Sequence, residues 1–437
     1  MKPVNVGLLG LGTVGAGTVN VLRRNAEEIE RRAGRGIHVT MAAARDLPRQ
    51  RACETRDIRL TDDPFAVVND PAVDVVVELI GGDEIARELV LAAIRAGKPV
   101  VTANKALLAL HGQEIFDAAH EHGVAVAFEG AVAGGIPIIK AIREGLAGNR
   151  IEWLAGIING TGNYILTQMR DRGLSFGEAL AEAQQLGYAE ADPIYDVEGV
   201  DAAHKLTILA SIAFGIPLRF DEVYCEGISR VTVADVGYAG ELGYRIKHLG
   251  IARRREQGVE LRVHPTLVPE RRLLANVEGV MNAIMVYGDA VGPTVYYGPG
   301  AGAEATASAV VADLVDIVRA LTADPGHRVP LLAFQPSAIA DVPILAAEDM
   351  ETAYYLRLLV MDKPGVLADI TRILGEFCIS IEAIIQKEPE PEATHVPVII
   401  TTRTVREGEM DQAIRRMQAL PAVMNDVVRL RIEQFDG

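Results

Sequence analysis

The chain opens with an apolar run, Val4 to Leu9, that passes directly into Gly10-Leu11-Gly12-Thr13-Val14-Gly15 and a helix-like stretch from Thr13 to Arg32. Few folds accommodate three glycines at that spacing between a strand and a helix. Glycine lets the backbone turn sharply and approach a phosphate, whose charge the helix N-terminus then stabilises. The glycines alone are a weak signal, and the strand before and helix after supply the context of a dinucleotide-binding turn. Gly10, Gly12, Thr13, Val14 and Gly15 are therefore the expected cofactor cradle.

The next hundred residues keep the same rhythm. Ile37 to Ala44, Val73 to Ile80, Pro99 to Thr102 and Val124 to Phe128 read as buried strands, with helical patterns over Glu84 to Ala96 and Gln113 to His122. This alternation predicts an α/β fold, a doubly wound parallel sheet of Rossmann type, over residues 1–135. From 136 to 302, longer helices, glycine-rich turns and a few strands predict a second, α+β domain that binds substrate. The segment 303–322 reads as one apolar helix packing back on the first domain. Residues 323–350, with Pro325, Pro330, Pro336 and Pro343, read as a linker. Residues 351–437 then run β-α-β-β-α-β, the ferredoxin-like order of a small independent domain.

Bulk properties remove several functions. At 437 residues the chain exceeds one compact core. A net charge of −16 without a basic stripe argues against a nucleic-acid partner. No stretch reaches the ~20 uninterrupted apolar residues of a spanning helix, so no membrane partner is expected. Cys53, Cys225 and Cys378 are far apart and form no Cys-x-x-Cys pair, which points to a reducing, cytoplasmic setting.

Three stretches carry chemistry. Ala44-Arg45-Asp46 closes the second strand, where an acid would hold ribose hydroxyls and an arginine a 2′-phosphate; Arg45 thus favours NADP over NAD. Thr102-Ala103-Asn104-Lys105 lies at the carboxyl edge of its strand, where open α/β sheets bind ligands, so Lys105 can reach nicotinamide and substrate. The third runs from Ala183 to Lys205, AQQLGYAEADPIYDVEGVDAAHK, and holds Glu190, Asp192, Asp196, Glu198 and Asp201 before Lys205. Asp201 and Lys205 are four apart and share a helix face. A solvated acidic loop would read this way too, but Ala202, Ala203, Leu206, Ile208, Leu209 and Ala210 predict a buried helix. Buried carboxylates and a buried lysine need partners, and a buried lysine is a competent proton donor and acceptor.

This third segment resembles the signature of the homoserine dehydrogenase family, A-x-x-x-G-Y-A-x-A-D-P-x-x-D-V-x-G-x-D-x-x-x-K. VTANKALLA from Val101, GIINGTGNYIL from Gly156 and the N-terminal glycine turn resemble it as well, and the likeness extends over about the whole chain. The resemblance implies reversible NAD(P)H-dependent reduction of L-aspartate 4-semialdehyde to L-homoserine, a step towards threonine, methionine and isoleucine. It implies that Lys205 passes the proton, with Lys105 a second catalytic lysine. Glu190, Asp196 and Asp201 would hold the substrate, with Asn159 and Thr161 beside them. Gly162 stands where relatives often carry a small hydroxyl or thiol. Gly300 and Gly302, in Tyr296-Tyr297-Gly298-Pro299-Gly300-Ala301-Gly302, resemble a late loop that returns to the cofactor.

The same resemblance implies a monovalent cation, sodium, at Glu129, Val132, Gly134 and Ile136, chiefly through main-chain oxygens. The residues by themselves read only as a glycine-rich linker. Asp362-Lys363-Pro364-Gly365-Val366-Leu367 resembles the motif of an ACT module, which implies regulation by an amino acid, with L-threonine the usual effector. A homodimer or homotetramer is implied, residues 136–302 supplying dimer contacts. The glycine turn begins within the first ten residues, so no fused kinase is expected ahead of it. Two alternatives remain. A phosphorylating aldehyde dehydrogenase needs a thiolate nucleophile, yet the three cysteines lie outside every motif. A catalytically silent sensor of NADP and amino acids has no use for Lys205 among carboxylates.

Overall fold

The computed structural model describes residues 2–321, 329–387 and 394–435. Residues 322–328, at the expected helix end and linker, and residues 388–393 and 436–437 of the expected C-terminal domain lie outside the described residues. The chain forms two compact units, each built from separate stretches: 1–160, 201–223 and 280–342 in the first, 161–200, 224–279 and 343–437 in the second. Residues 136–302 contribute stretches to both units.

The first unit is built on a six-stranded sheet of β1 (Val4–Leu9), β2 (Ile37–Ala43), β3 (Arg59–Thr61), β4 (Val75–Glu78), β5 (Val100–Thr102) and β6 (Val126–Ala127). Their order is β3-β2-β1-β4-β5-β6 with every neighbour parallel, the doubly wound topology with its switch point beside β1. β3 is absent from the apolar pattern because it is a three-residue edge strand with no fully buried side chain.

The helix Thr13–Arg24 lies against the helix Ala303–Ala320, and Ala307, Val310, Val311 and Leu314 join β1 side chains in one core. Contact is so close that a Cβ on Gly17 would sit 2.3 Å from the Ala303 carbonyl oxygen. The strands Ile151–Ile157, Met281–Gly288 and Gly292–Pro299 form an antiparallel set in this unit. The helix Val200–Phe214, apolar on nearly every side, is buried along almost its whole length.

In the second unit the strands Tyr244–Arg254 and Val259–Pro269 make an antiparallel hairpin. The helices Phe176–Gln185 and Val233–Glu241 both begin with a capping box, Ser175 with Glu178 and Thr232 with Asp235, which satisfies the first backbone N–H groups. The C-terminal stretch forms the β-α-β-β-α-β order, with Val423–Ile432, Glu351–Met361, His395–Thr402 and Ile381–Gln386 adjacent in that sequence across the sheet.

The last strand of this module also pairs with a strand outside it. Val423–Ile432 pairs in parallel with Val259–Pro269, matching Thr266 to Arg431 and Leu267 to Ile432. Arg262, fully buried, donates to Glu433 at 2.5 Å across that seam. A charged residue inside an otherwise apolar buried strand needs a partner, and for Arg262 the module supplies Glu433.

Gly17→Ala forces a methyl into backbone that cannot yield. It is expected to destabilise the first unit by about 2 kcal/mol, read as a lower urea midpoint with unchanged slope.

Candidate active site

The glycine turn is built for an anion. Gly10 is left-handed (φ +96°), and a Cβ there would meet the Leu79 carbonyl oxygen at 2.6 Å. A Cβ on Gly15 would lie 2.2 Å from the Gly10 oxygen, whereas one on Gly12 would meet nothing within 4 Å. Two glycines are thus demanded by packing, and the third opens onto space. Gly12 caps the helix Thr13–Arg24 without a side-chain bond, so the positive end of that helix faces the opening. Val14 packs on the core behind the turn. A groove of about 390 Å³ continues from Gly10 and Gly12 past Ala44, Arg45, Arg49 and Arg51. The residues fit a dinucleotide, with the pyrophosphate at the helix end and the adenosine along the groove.

Two strand ends shape the neighbouring edge. Glu78, fully buried at the end of β4, accepts from the Thr102 hydroxyl at 2.6 Å and the Ile80 N–H at 2.8 Å. Burial pushes its carboxyl above the ordinary range, against those hydrogen bonds. The Asn104 side chain accepts from the Leu107 N–H at 3.1 Å and donates to the Gly82 carbonyl at 2.5 Å. That cap starts the helix Lys105–Glu121 at its first residue, which sets Lys105 at the sheet's carboxyl edge. The sequence reading passed over Glu78, although a lone acid within Val-Val-Val-Glu-Leu-Ile was its signal.

The centre of the site is Asp201, 5 % exposed. Lys205 Nζ donates to Asp201 Oδ2 at 2.6 Å and to the Ile158 carbonyl at 2.8 Å. Asn159 Nδ2 donates to the same Oδ2 at 2.9 Å, and Lys105 Nζ lies 3.4 Å from Oδ1. Burial opposes the charge on Asp201, but the two ammonium groups and the Lys205 and Asn159 hydrogen bonds outweigh it and hold the carboxyl at about 2. Among the described residues Lys205 makes only those two bonds, which leaves one N–H for a further acceptor. His204, one residue earlier, packs 4.2 Å from the Phe220 ring, and burial lowers its pKa to about 4, so it is neutral.

Thr161, Glu190 and Asp196 belong to the second unit. The Thr161 hydroxyl donates to the Tyr188 carbonyl at 2.6 Å. Glu190 and Asp192 are exposed and Asp196 half-buried, so the expectation of buried carboxylates along this loop is met only by Asp201. Gly300 abuts Asn282, 2.1 Å from where its Cβ would stand, and Gly302 caps the helix Ala303–Ala320.

Around the expected cation residues, the Glu129 carboxylate accepts the N–H groups of Ile139 and Lys140, each at 2.9 Å. Its own N–H donates to Asp313 at 2.7 Å. Val132, Gly134 and Ile136 are buried in a turn that takes Ala133 to a φ of +50°. Asp313, which sequence reasoning missed, is driven up to about 7 by burial and the nearby Glu129, with Lys140 opposing. No cluster of three or more His, Cys, Asp or Glu side chains suited to a metal occurs among the described residues.

The chain matches the family models for the homoserine dehydrogenase NAD-binding domain over residues 10–129, homoserine dehydrogenase over 137–315 and the ACT domain over 354–422. It is 65% identical over 436 residues to a homoserine dehydrogenase of Pseudomonas aeruginosa, covering 100% of both chains. A crystal structure of a homoserine dehydrogenase from Thiobacillus denitrificans superposes with a TM-score of 0.95 at 64% identity, covering 99% of each chain. A hyperthermophilic archaeal homoserine dehydrogenase in complex with NADPH matches with a TM-score of 0.60 at 25% identity, covering 72% of this chain and 98% of that one.

Because the Asp201 carboxyl sits at about 2 against an ordinary 3.8, its stabilising contribution is complete above pH ~4 and is lost as pH falls through the folded value. Asp201→Asn lacks that contribution at every pH. The stability gap between wild type and variant, from urea unfolding, is expected to shrink by about 1 kcal/mol from pH 5 to pH 3. A gap that stays constant would contradict the ion-paired carboxylate.

Proposed function

The chain belongs to the homoserine dehydrogenase family of NAD(P)-dependent oxidoreductases, and within that activity we propose that Lys205 is the general acid and base. The observation that carries the reading is the buried Asp201 carboxylate shared by Lys205 and Lys105. When bound, the nicotinamide dinucleotide supplies or accepts the hydride. As the aldehyde of L-aspartate 4-semialdehyde becomes the alkoxide of L-homoserine, the uncommitted Lys205 N–H gives it a proton, and in the reverse direction Lys205 takes that proton back. Asp201 and the Ile158 carbonyl fix the direction of that N–H. Lys105, across the carboxylate, adds positive potential where the oxyanion develops and keeps Asp201 from drawing the Lys205 proton to itself. Asn159 completes the carboxylate's hydrogen bonds, while Glu190, Asp196 and Thr161 are the candidates for holding the amino-acid end of the substrate.

NADP is the proposed cofactor. Arg45, Arg49 and Arg51 follow β2 within eight residues, and Arg51 donates to the Asp46 carbonyl, which pins the loop. Guanidinium groups at this strand end suit a 2′-phosphate. The solved archaeal relative in complex with NADPH supports the same choice. A sodium ion would be held by main-chain oxygens of Val132, Gly134 and Ile136 beside Glu129, where it would brace the turn and offset the buried Glu129 and Asp313.

The ACT module is read as the seat of amino-acid regulation, with L-threonine the effector, in a homodimer or homotetramer. Its motif residue Gly365 adopts φ +95° to start the helix Val366–Glu376. Three free cysteines fit a cytoplasmic enzyme. No helix among the described residues is long and apolar enough to cross a membrane.

Lys205→Met is expected to lower homoserine-dependent NADPH formation at least ~100-fold while NADPH affinity, by fluorescence titration, stays near wild type. Retained turnover would pass the proton role to Lys105 or water. Arg45→Ala is expected to raise the KM for NADP about tenfold and leave that for NAD unchanged; equal effects on both cofactors would remove the 2′-phosphate reading.

A further inference from the structure

The last strand of the C-terminal module carries Arg431, whose side chain is fully buried. Within the module its guanidinium is gripped by Glu407, which accepts from Nε at 2.8 Å and also from Nη2. The opposite edge reaches outside the module. Nη1 donates to Glu226 Oε2 at 2.6 Å, and Nη2 donates to the Tyr224 hydroxyl at 2.8 Å. Tyr224 donates onward to Glu226 at 2.9 Å, and its ring centre lies 4.7 Å from the guanidinium carbon. Such a two-sided grip uses the planar fork of arginine, which an ammonium cannot reproduce.

The far side of the Tyr224–Ile228 segment holds the end of the acidic signature. The Ile228 N–H donates to the Val197 carbonyl at 2.8 Å. The Cys225 thiol donates to the Glu198 carbonyl at 3.2 Å. There is no slack between them: a Cβ on Gly227 would stand 2.1 Å from Glu198 Oε2, and one on Gly199 (φ +86°) 3.0 Å from Cys225 Sγ. Two residues beyond Gly199 in the sequence comes Asp201.

We infer that Arg431 is a positioning residue for the dehydrogenase reaction: through Glu226 it fixes the Tyr224–Ile228 segment, and through that segment the Asp196–Gly199 turn that leads into Asp201 and Lys205. The inference rests on the proposed roles of those two residues. A buried guanidinium among carboxylates is a poor stability device, since apolar side chains of similar volume generally serve as well. Its value lies in direction, because the ion pair holds only when both segments are in register. The C-terminal module thereby acts on the catalytic turn even with no effector bound, and an effector that shifts Val423–Ile432 would move the turn through the same side chain.

The test uses full-length Glu226→Gln, which cuts the bridge on its partly exposed side, and Arg431→Lys, which keeps the charge and loses the fork. Both are expected to lower kcat/KM for homoserine on the order of tenfold, with the KM for NADP held within about twofold and Tm near wild type. Arg431→Lys should retain more activity than Glu226→Gln combined with Arg431→Lys. Wild-type kcat/KM for homoserine in both single variants would overturn the inference, as would parallel losses in both KM values together with a lowered Tm. Lys205→Met assayed alongside separates the two failures: activity surviving there removes the proton role, while loss there with full activity in Glu226→Gln removes only the positioning role.

Discussion

The proposed chemistry of this chain depends on one carboxylate that should not, on solvation grounds, be charged. Asp201 is buried, and transfer of an isolated carboxylate into such a place costs several kcal/mol. It stays ionised because two ammonium groups and an amide converge on it. The dependence runs in both directions. Lys205 is itself only 12 % exposed, and without Asp201 its own charge would be the uncompensated one. The lysine helix, the loop ending at Asn159 and the helix headed by Lys105 are therefore tied by electrostatics at a single point, and each approaches from a different element of the first unit.

The parallel sheet explains why those elements meet there. In a doubly wound sheet the carboxyl ends of the strands share one edge, and the loops after β1, β2, β4 and β5 all open on it. The first holds the glycine turn, the second the arginines, the third the Glu78 hydrogen bonds and the fourth Lys105. The bonds of Glu78 to Thr102 and Ile80 join two of these loops. A buried acid used as a backbone tie keeps the cofactor edge and the lysine in fixed register.

What could be read in the sequence follows from what leaves a local trace. β1 and the start of the helix after it were legible to the residue, because a buried parallel strand, a glycine turn and an amphipathic helix each impose a pattern, whereas the expected run from Thr13 to Arg32 breaks at Asn25 into two helices. The order of elements in the C-terminal module was legible for the same reason. β3 was not, since three half-exposed residues at a sheet edge carry no pattern. The carboxylates of the acidic loop looked alike in sequence, yet only Asp201 is buried. Exposure there is decided by which side of the helix start a residue falls, and Glu190 lies on a turn before it. Pairing partners far apart in the chain, such as Asp313 with Glu129 or Arg431 with Glu226, leave no local signal at all.

That last class of contact also explains why the C-terminal module is not an appendage. The strand Val259–Pro269 is buried at every position and still contains Glu260, Arg262 and His264. An apolar strand could dock against any other apolar surface; one studded with charges can be buried only against a surface that presents the complementary set. Glu433, just past the final strand, takes Arg262, Glu260 pairs with Arg262 and Arg255, and Arg431 on the final strand pairs with Glu226. Such a seam favours a single alignment more than strength, and with a single alignment a movement of the C-terminal module would be passed on instead of being absorbed by slippage.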